Sequence, residues 1–286
     1  MLTVGGAQTN HGRLTAAVAA KYGLKCTIAC VDEYPGEVSA NLLLDRILGA
    51  QVVIKKSDGR PEEEQYEELL QKLTAQYEAE GERVYSIPLG GSNLTGMCGY
   101  FECAQELDLQ CRELGLADPR LICAVGSLGT YMGLYCGLQK AGSALHLTGI
   151  AISPFGEEKE RRILEYYGEV CQAIGLEQQK APAFDVQTGY TRGGYNNPCV
   201  QVREAIYEMA RTEAILLDPC YTGKAFAGMM DMIEQGSIAK GETVIFLHTG
   251  GAPGLNTPCH RVEFEKELRA GITVLGPRCE SLDGCF

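Results

Sequence analysis

Four times in this chain an apolar segment runs straight into closely spaced glycines: residues 2–4 into Gly5-Gly6, 84–87 into Gly90-Gly91, 120–125 into Gly126 and Gly129, and 243–248 into Gly250-Gly251. A strand ending in glycine can turn sharply, and the first amides of a following helix point at whatever sits above the turn, favouring a carboxylate or phosphate. The first three turns continue into helical sequence. Further apolar runs at 26–31, 51–54 and 146–152 alternate with helical stretches at 39–48, 62–80, 158–174, 200–210 and 222–234. This rhythm predicts α/β layers with active groups at the carboxyl ends of the strands. A boundary near residue 95 divides a small lobe from a larger one.

A chain of 286 residues with 45% hydrophobic content can bury cores for two lobes. Its 37 acidic against 25 basic residues give a formal charge of -12, which argues against nucleic acid or an anionic membrane as the main partner. No apolar run reaches spanning length, and the start lacks the basic-then-apolar order of a signal peptide. Thirteen cysteines are scattered along the chain, several inside apparent helices or strands, including Cys98, Cys103, Cys111, Cys123 and Cys136. They read mostly as reduced, buried small hydrophobes of a cytoplasmic protein. With no C-x-x-C and no ligand-spaced histidines, a metal centre is not expected.

Gly126-Ser127-Leu128-Gly129-Thr130 carries the strongest local signal. Two glycines let the amides converge, and the Ser127 and Thr130 hydroxyls add donors, so a phosphate can be held by dipoles rather than formal charge. The segment is not a nucleotide P-loop, because no Gly-Lys-Ser or Gly-Lys-Thr follows. The register Gly126, Leu128, Thr130 lacks the second glycine of a dinucleotide site, and the next strand ends in Ser153-Pro154 rather than an acid suited to a ribose. A phosphorylated cofactor fits better than a nucleotide, a plain tight turn being the bland alternative. In the other loops, Thr9 or Asn10 suits a helix N-cap, Thr249 offers a neutral hydroxyl to a ring nitrogen, and His248 reads as a satisfied buried histidine. Tyr221-Thr222-Gly223-Lys224 joins a phenol, a hydroxyl and an ammonium at a helix start, or is simply a cap followed by a solvent lysine.

The segments VGGAQTNHGRLTAAVAAKYGLKC, LGGSNLTGMCGY, AVGSLGTYMGL, ARTEAILLDPCYTGKAFAGM and FLHTGGAPGL together resemble the pyridoxal-phosphate enzymes of the tryptophan-synthase-beta-like fold (fold type II). The likeness is to the D-cysteine desulfhydrase and 1-aminocyclopropane-1-carboxylate deaminase group, and it runs in family order from residue 2 to about 255. It implies two three-layer α/β domains, a small one over 1–95 and a cofactor-binding one over 96–286, the latter normally completed by residues upstream. It implies a homodimer acting on a small amino acid. Gly126, Ser127, Leu128, Gly129 and Thr130 would cradle the cofactor phosphate, Asn10 would bond its phenolic oxygen, and Thr249 would partner the pyridine nitrogen. Thr9, Asn10 and His11 would receive the substrate, with Thr9, Tyr221 and Tyr195 catalytic. A serine is usual at the position of Thr9. Thr222 after Tyr221 matches the desulfhydrases, where the deaminases carry glutamate, and Asn196 replaces the glycine that follows the family tyrosine at Tyr195.

The resemblance implies α,β-elimination from D-cysteine to pyruvate, hydrogen sulfide and ammonia. Its alternatives are aminocyclopropane-carboxylate deamination and a cofactor- or amino-acid-binding protein without catalysis. The family's Schiff-base lysine belongs upstream of Gly5-Gly6, where this chain has none, so a longer protein carrying that lysine is expected. Beyond residue 256 the likeness fades, and 262–270 reads as an additional polar helix followed by an apolar run at 272–275.

Overall fold

The computed structural model describes residues 1–274. Two parallel four-stranded sheets organise them. The first is built from β1 (Leu2–Gly5), β2 (Thr27–Val31), β3 (Gln51–Lys55) and β4 (Ser86–Ile87), in the order β3-β2-β1-β4, with Leu2 opposite both Thr27 and Ser86. Side chains alternate across a strand, so each strand feeds two cores. Leu2, Val4, Ala29 and Val31 pack with Tyr66, Leu69 and Leu73 of the helix Glu62–Ala79, while Ile28 and Cys30 pack with Ala16 and Ala19 of the helix Asn10–Lys21. These helices are α1 (Asn10–Lys21) and α3 (Glu62–Ala79), and α2 (Ala40–Ile47) lies beside α1.

The second sheet comprises β5 (Arg120–Val125), β6 (His146–Ala151), β7 (Val186–Gln187) and β8 (Val244–Phe246), in the order β7-β6-β5-β8. Leu121, Cys123 and Val125 face α4 (Leu94–Glu113), α5 (Gly129–Ala141) and α6 (Glu157–Ile174). On the opposite face Ile122, Ala124, Ile150 and Ile152 meet Met229 and Met232 of α8 (Thr222–Glu234), which is backed by α7 (Val200–Glu213) through Val202, Ala205 and Ile206. Both sheets are therefore sandwiched between helices, which is the expected pair of three-layer units.

Several boundaries differ from the sequence expectation. The strand expected over 84–87 narrows to Ser86–Ile87, which pair with Leu2 and Thr3. The polar helix expected from 262 starts earlier, as α9 (Pro258–Leu268), since proline at the first helical position has no amide to leave unsatisfied. Residues 272–274 are not strand, and the rest of that expected run lies outside the described residues. Among the described residues eleven cysteines are free, seven of them buried, but Cys98 is exposed and Cys103 half-buried where burial was expected. No described helix is long and apolar enough to cross a membrane, and no described cluster could hold a metal ion.

Candidate active site

The four glycine turns open onto one cleft of about 460 Å³. Asn10 and His11 line it from the first turn, Gly90 and Gly91 from the second, Gly126, Ser127, Leu128 and Thr130 from the third, and Thr249 and Gly250 from the fourth, with Tyr100 and Tyr221 completing the wall. Within each sheet the turns share a side, since parallel strands present their carboxyl ends together, and the cleft is lined by those ends of both sheets. Thr9, Gly129 and Tyr195 do not line the cleft directly.

At one end the N-terminus of α5 is bare. Its N-cap, Leu128, adopts the left-handed conformation at φ 72° and supplies no capping side chain, so the amides of residues 129–131 have no acceptor within the helix. Ser127 accepts a hydrogen bond from Ser92 Oγ at 2.6 Å, leaving its own hydroxyl proton to point elsewhere. Thr130 lines the same wall as Tyr100, whose phenol burial pushes up. Among the described residues no lysine or arginine lines the cleft, so anion binding by them rests on amides and hydroxyls.

The first turn is wired through two small networks. Thr3 Oγ1 donates to Ile87 O at 3.1 Å and therefore accepts from His11 Nε2 at 3.0 Å; Nδ1 then accepts from Thr9 Oγ1 at 2.8 Å. His11 is thus neutral, in agreement with burial lowering its pKa to about 4. Thr9 also accepts from the Gly12 amide and caps α1, and it is 6% exposed. Its methyl occupies the space a side chain at Gly12 would need, since a Cβ there would lie 2.3 Å from Thr9 Cγ2. The structure accordingly turns the Thr9 hydroxyl towards His11 and the helix instead of into the cleft, where the sequence reading had placed it. Asn10 is aimed by the buried Asn41, whose Nδ2 donates to Asn10 Oδ1 at 2.8 Å and to Gln8 O at 2.8 Å. The Asn10 amino group is left to face the cleft. Asn41 carries no sequence signal of this role, because it reaches Asn10 from another helix.

At the opposite end Tyr195 and Tyr221 place their hydroxyls 2.7 Å apart. Burial holds both well above the usual tyrosine range, aided by the neighbouring phenol at Tyr195 and by the Cys220 thiol at Tyr221, so both keep their protons at neutral pH. Tyr195 as a whole residue is 54% exposed, while its ring packs edge-on against Tyr221 with centroids 5.8 Å apart. Tyr221 is fixed by Asp218, whose carboxylate accepts from the amides of Cys220, Tyr221 and Thr222. Asp218 also fills the space beside Gly251, where a Cβ would come within 2.8 Å of Asp218 Cβ, so the Thr249 loop packs directly on the tyrosine loop. His248 is exposed rather than buried as expected, but has both ring nitrogens engaged, with Leu216 O and the Gly250 amide. Lys224 is fully buried, not a solvent lysine; its Nζ donates to Ile152 O at 2.9 Å and Gly194 O at 2.5 Å.

A bare helix N-terminus, an aimed asparagine amide and a neutral hydroxyl around one cleft suit an aromatic phosphate. The family model described as pyridoxal-phosphate dependent enzyme matches residues 1–250. The chain belongs to this family. It is 36% identical over 262 residues to a D-cysteine desulfhydrase of Yersinia pestis (strain Pestoides F), covering 89% of this chain and 77% of that protein. A D-cysteine desulfhydrase of Klebsiella pneumoniae (strain 342) is 37% identical with the same coverage. Among solved structures, an ACC deaminase homologue superposes with a TM-score of 0.78 at 29% identity, covering 95% of this chain and 78% of that one. O-ureido-L-serine synthase shares the fold alone, with a TM-score of 0.60 at 18% identity.

The chain is thus a pyridoxal-phosphate dependent enzyme of the lyase type with the type II fold, and the cleft chemistry fits that cofactor. The uncapped amides of α5 answer a phosphate, the Asn10 amino group a phenolate oxygen, and the Thr249 hydroxyl a pyridine nitrogen.

Proposed function

We propose that this cleft catalyses α,β-elimination on D-cysteine, in which one water is consumed and pyruvate, hydrogen sulfide and ammonia are released. The carrying observation is the protonated phenol pair Tyr195–Tyr221, hydroxyls 2.7 Å apart. Loss of a β-thiolate requires a proton near the departing sulfur, and a hydrogen-bonded pair of phenols holds one there at neutral pH. Pyridoxal phosphate, when bound, supplies the electron sink that allows the substrate α-proton to leave. The chain's own groups orient and protect that step. Gly126, Ser127, Leu128, Gly129 and Thr130 hold the phosphate, and Asn10 holds the phenolic edge. Thr249 presents a hydroxyl rather than a carboxylate at the ring nitrogen, a bias towards elimination over transamination. Asn10 and neutral His11 face the substrate carboxylate, and Thr9 supports them from behind by fixing His11. Lys224 is committed to two carbonyls and does not serve as the cofactor lysine.

The same reading makes the protein a cytoplasmic homodimer with domains over 1–95 and 96–286. Supporting it are the unpaired thiols of the described residues, as in a reducing compartment, and the change of sheet just before α4. Light scattering on the purified protein tests the dimer.

The activity is tested on the protein carrying the Schiff-base lysine that the family resemblance implies, supplied with pyridoxal phosphate and offered D-cysteine, L-cysteine and 1-aminocyclopropane-1-carboxylate separately. Sulfide and pyruvate in equal amounts from D-cysteine are expected, with Tyr221→Phe reducing kcat by about 100-fold, within the range for a positioned proton donor. Faster turnover of aminocyclopropane-carboxylate would replace this reading with the deaminase one. Cofactor binding without consumption of any of the three would leave a binding protein.

A further inference from the structure

Residues 192–197 carry Tyr195 to the cleft on an unusual backbone. Arg192, Gly193, Gly194 and Asn196 have φ of 51°, 82°, 115° and 52°. Two of these are not glycine, and each such residue costs on the order of 1 kcal/mol. A loop of this shape persists only if its surroundings hold it, and three contacts do so. Arg192 pairs with Asp231 of α8. Lys224, also on α8, takes the carbonyl of Gly194, immediately before Tyr195. The third contact comes from α9, where His260 Nε2 lies 2.9 Å from Oδ1 of Asn196, immediately after Tyr195.

Asn196 stands where the resembling family has glycine. The φ of 52° explains both residues, because asparagine is among the few non-glycine residues that accept the left-handed region. What asparagine adds is an amide, and that amide reaches α9. His260 is 1% exposed and lies beyond residues 1–250 matched by the family model. Burial lowers its pKa to about 4, so the ring is neutral and Nε2–H donates to the Asn196 carbonyl oxygen. α9 itself is docked by other contacts, Arg203 with Glu267 at 2.6 Å and Arg261 with Glu37 at 3.2 Å. The histidine is therefore not needed merely to attach the helix.

We infer that His260, acting through Asn196, is a positioning residue that fixes the Tyr195 hydroxyl against Tyr221, which makes the C-terminal helix α9 part of the apparatus around the reactive phenols. This deepens the proposed function, since it assigns the support of Tyr195 in that chemistry.

The test is a double-mutant cycle on the full protein with His260→Ala, Asn196→Gly and the two combined, plus His260→Gln as the conservative variant that keeps an N–H donor. Two readouts are taken: trypsin cleavage of the Arg192–Gly193 bond, followed by mass spectrometry, and kcat and KM for D-cysteine. Loss of one neutral hydrogen bond, about 1 kcal/mol, corresponds to about a fivefold effect. Cleavage is expected to accelerate and kcat to fall by that factor in His260→Ala, with KM unchanged and His260→Gln near wild type. In the Asn196→Gly background His260→Ala should add nothing. Additive effects of the two substitutions, or unchanged cleavage in His260→Ala, overturn the inference. If His260→Ala fails to fold, His260→Gln and Asn196→Gly still decide it through cleavage at Arg192. Wild-type protein inert towards D-cysteine but showing the cleavage cycle would sink the activity reading and leave the positioning role standing.

Discussion

The turn at 126–130 and the loop at 192–197 serve the same cleft by opposite means. The turn joins β5 directly to α5, and its donors are backbone amides whose direction is set once strand and helix are in place. The loop takes its shape from side chains far along the chain: Lys224 is 30 residues from Gly194, Asp231 is 39 from Arg192, and His260 is 64 from Asn196. A site built of local backbone tolerates change elsewhere, whereas one held by distant side chains fails at any of several remote positions.

The largest break in this symmetry should come from Lys224→Met. The buried Ile152 carbonyl and the half-buried Gly194 carbonyl would lose their donor, at about 1–3 kcal/mol for the buried one, so a clear drop in Tm and loss of turnover are expected, with phosphate affinity in the folded fraction preserved. Gly129→Ala should do the converse. Its Cβ would lie 2.7 Å from Ser92 Oγ and 3.3 Å from Ser92 Cα, and overpacking of about 1–3 kcal/mol should appear as weaker pyridoxal-phosphate binding in equilibrium dialysis, with trypsin cleavage at Arg192 unchanged.

Acid separates the two further, because the turn contains no titratable side chain and the loop leans on His260. The folded pKa values of His11 and His260, about 4, lie below the ordinary 6.5, so the unfolded chain takes up these protons first and stability falls as pH drops from about 6.5 towards 4. Asp45 runs the other way. Burial raises its carboxyl to about 7 from 3.8, so the folded form binds the proton first and stability rises as pH falls through 7 towards 3.8. Asp45→Asn should steepen the acid loss of stability and His260→Gln should flatten it, each by at most about 1.4 kcal/mol per pH unit, read from urea unfolding between pH 4 and 6.5. The smallest effect is expected for Thr130→Ala, about 1 kcal/mol or roughly fivefold in cofactor affinity. Full affinity in that variant would remove the hydroxyl from the cradle.

The same contrast explains what could be read from the amino acids alone. Strand 120–125 and helix 222–234 coincide with β5 and α8, because apolar periodicity and glycine placement are local properties. That the glycine turns of each sheet share one side followed from parallel topology. What escaped was any contact made across elements. Thr9 was legible as a cap, but its turn towards His11 depends on Thr3 and Ile87, which lies 84 residues from Thr3. Lys224 left a solvent lysine open as the bland alternative, because the carbonyls that hold it come from the residue after β6 and from the tyrosine loop. Asn41 and His260 sit on helices whose own patterns say nothing of Asn10 or Asn196.

The cradle without basic residues has a kinetic side. A phosphate ester approaches a chain of formal charge -12 with no lysine or arginine among the described residues that line the cleft to draw it in. Long-range repulsion is then the first force the cofactor meets, and dissolved salt shields it over a Debye length of about 10 Å at 0.1 M. Cofactor capture should therefore quicken as ionic strength rises, the reverse of a site that steers its anion with positive charge, while release, governed by short-range hydrogen bonds, should hardly change.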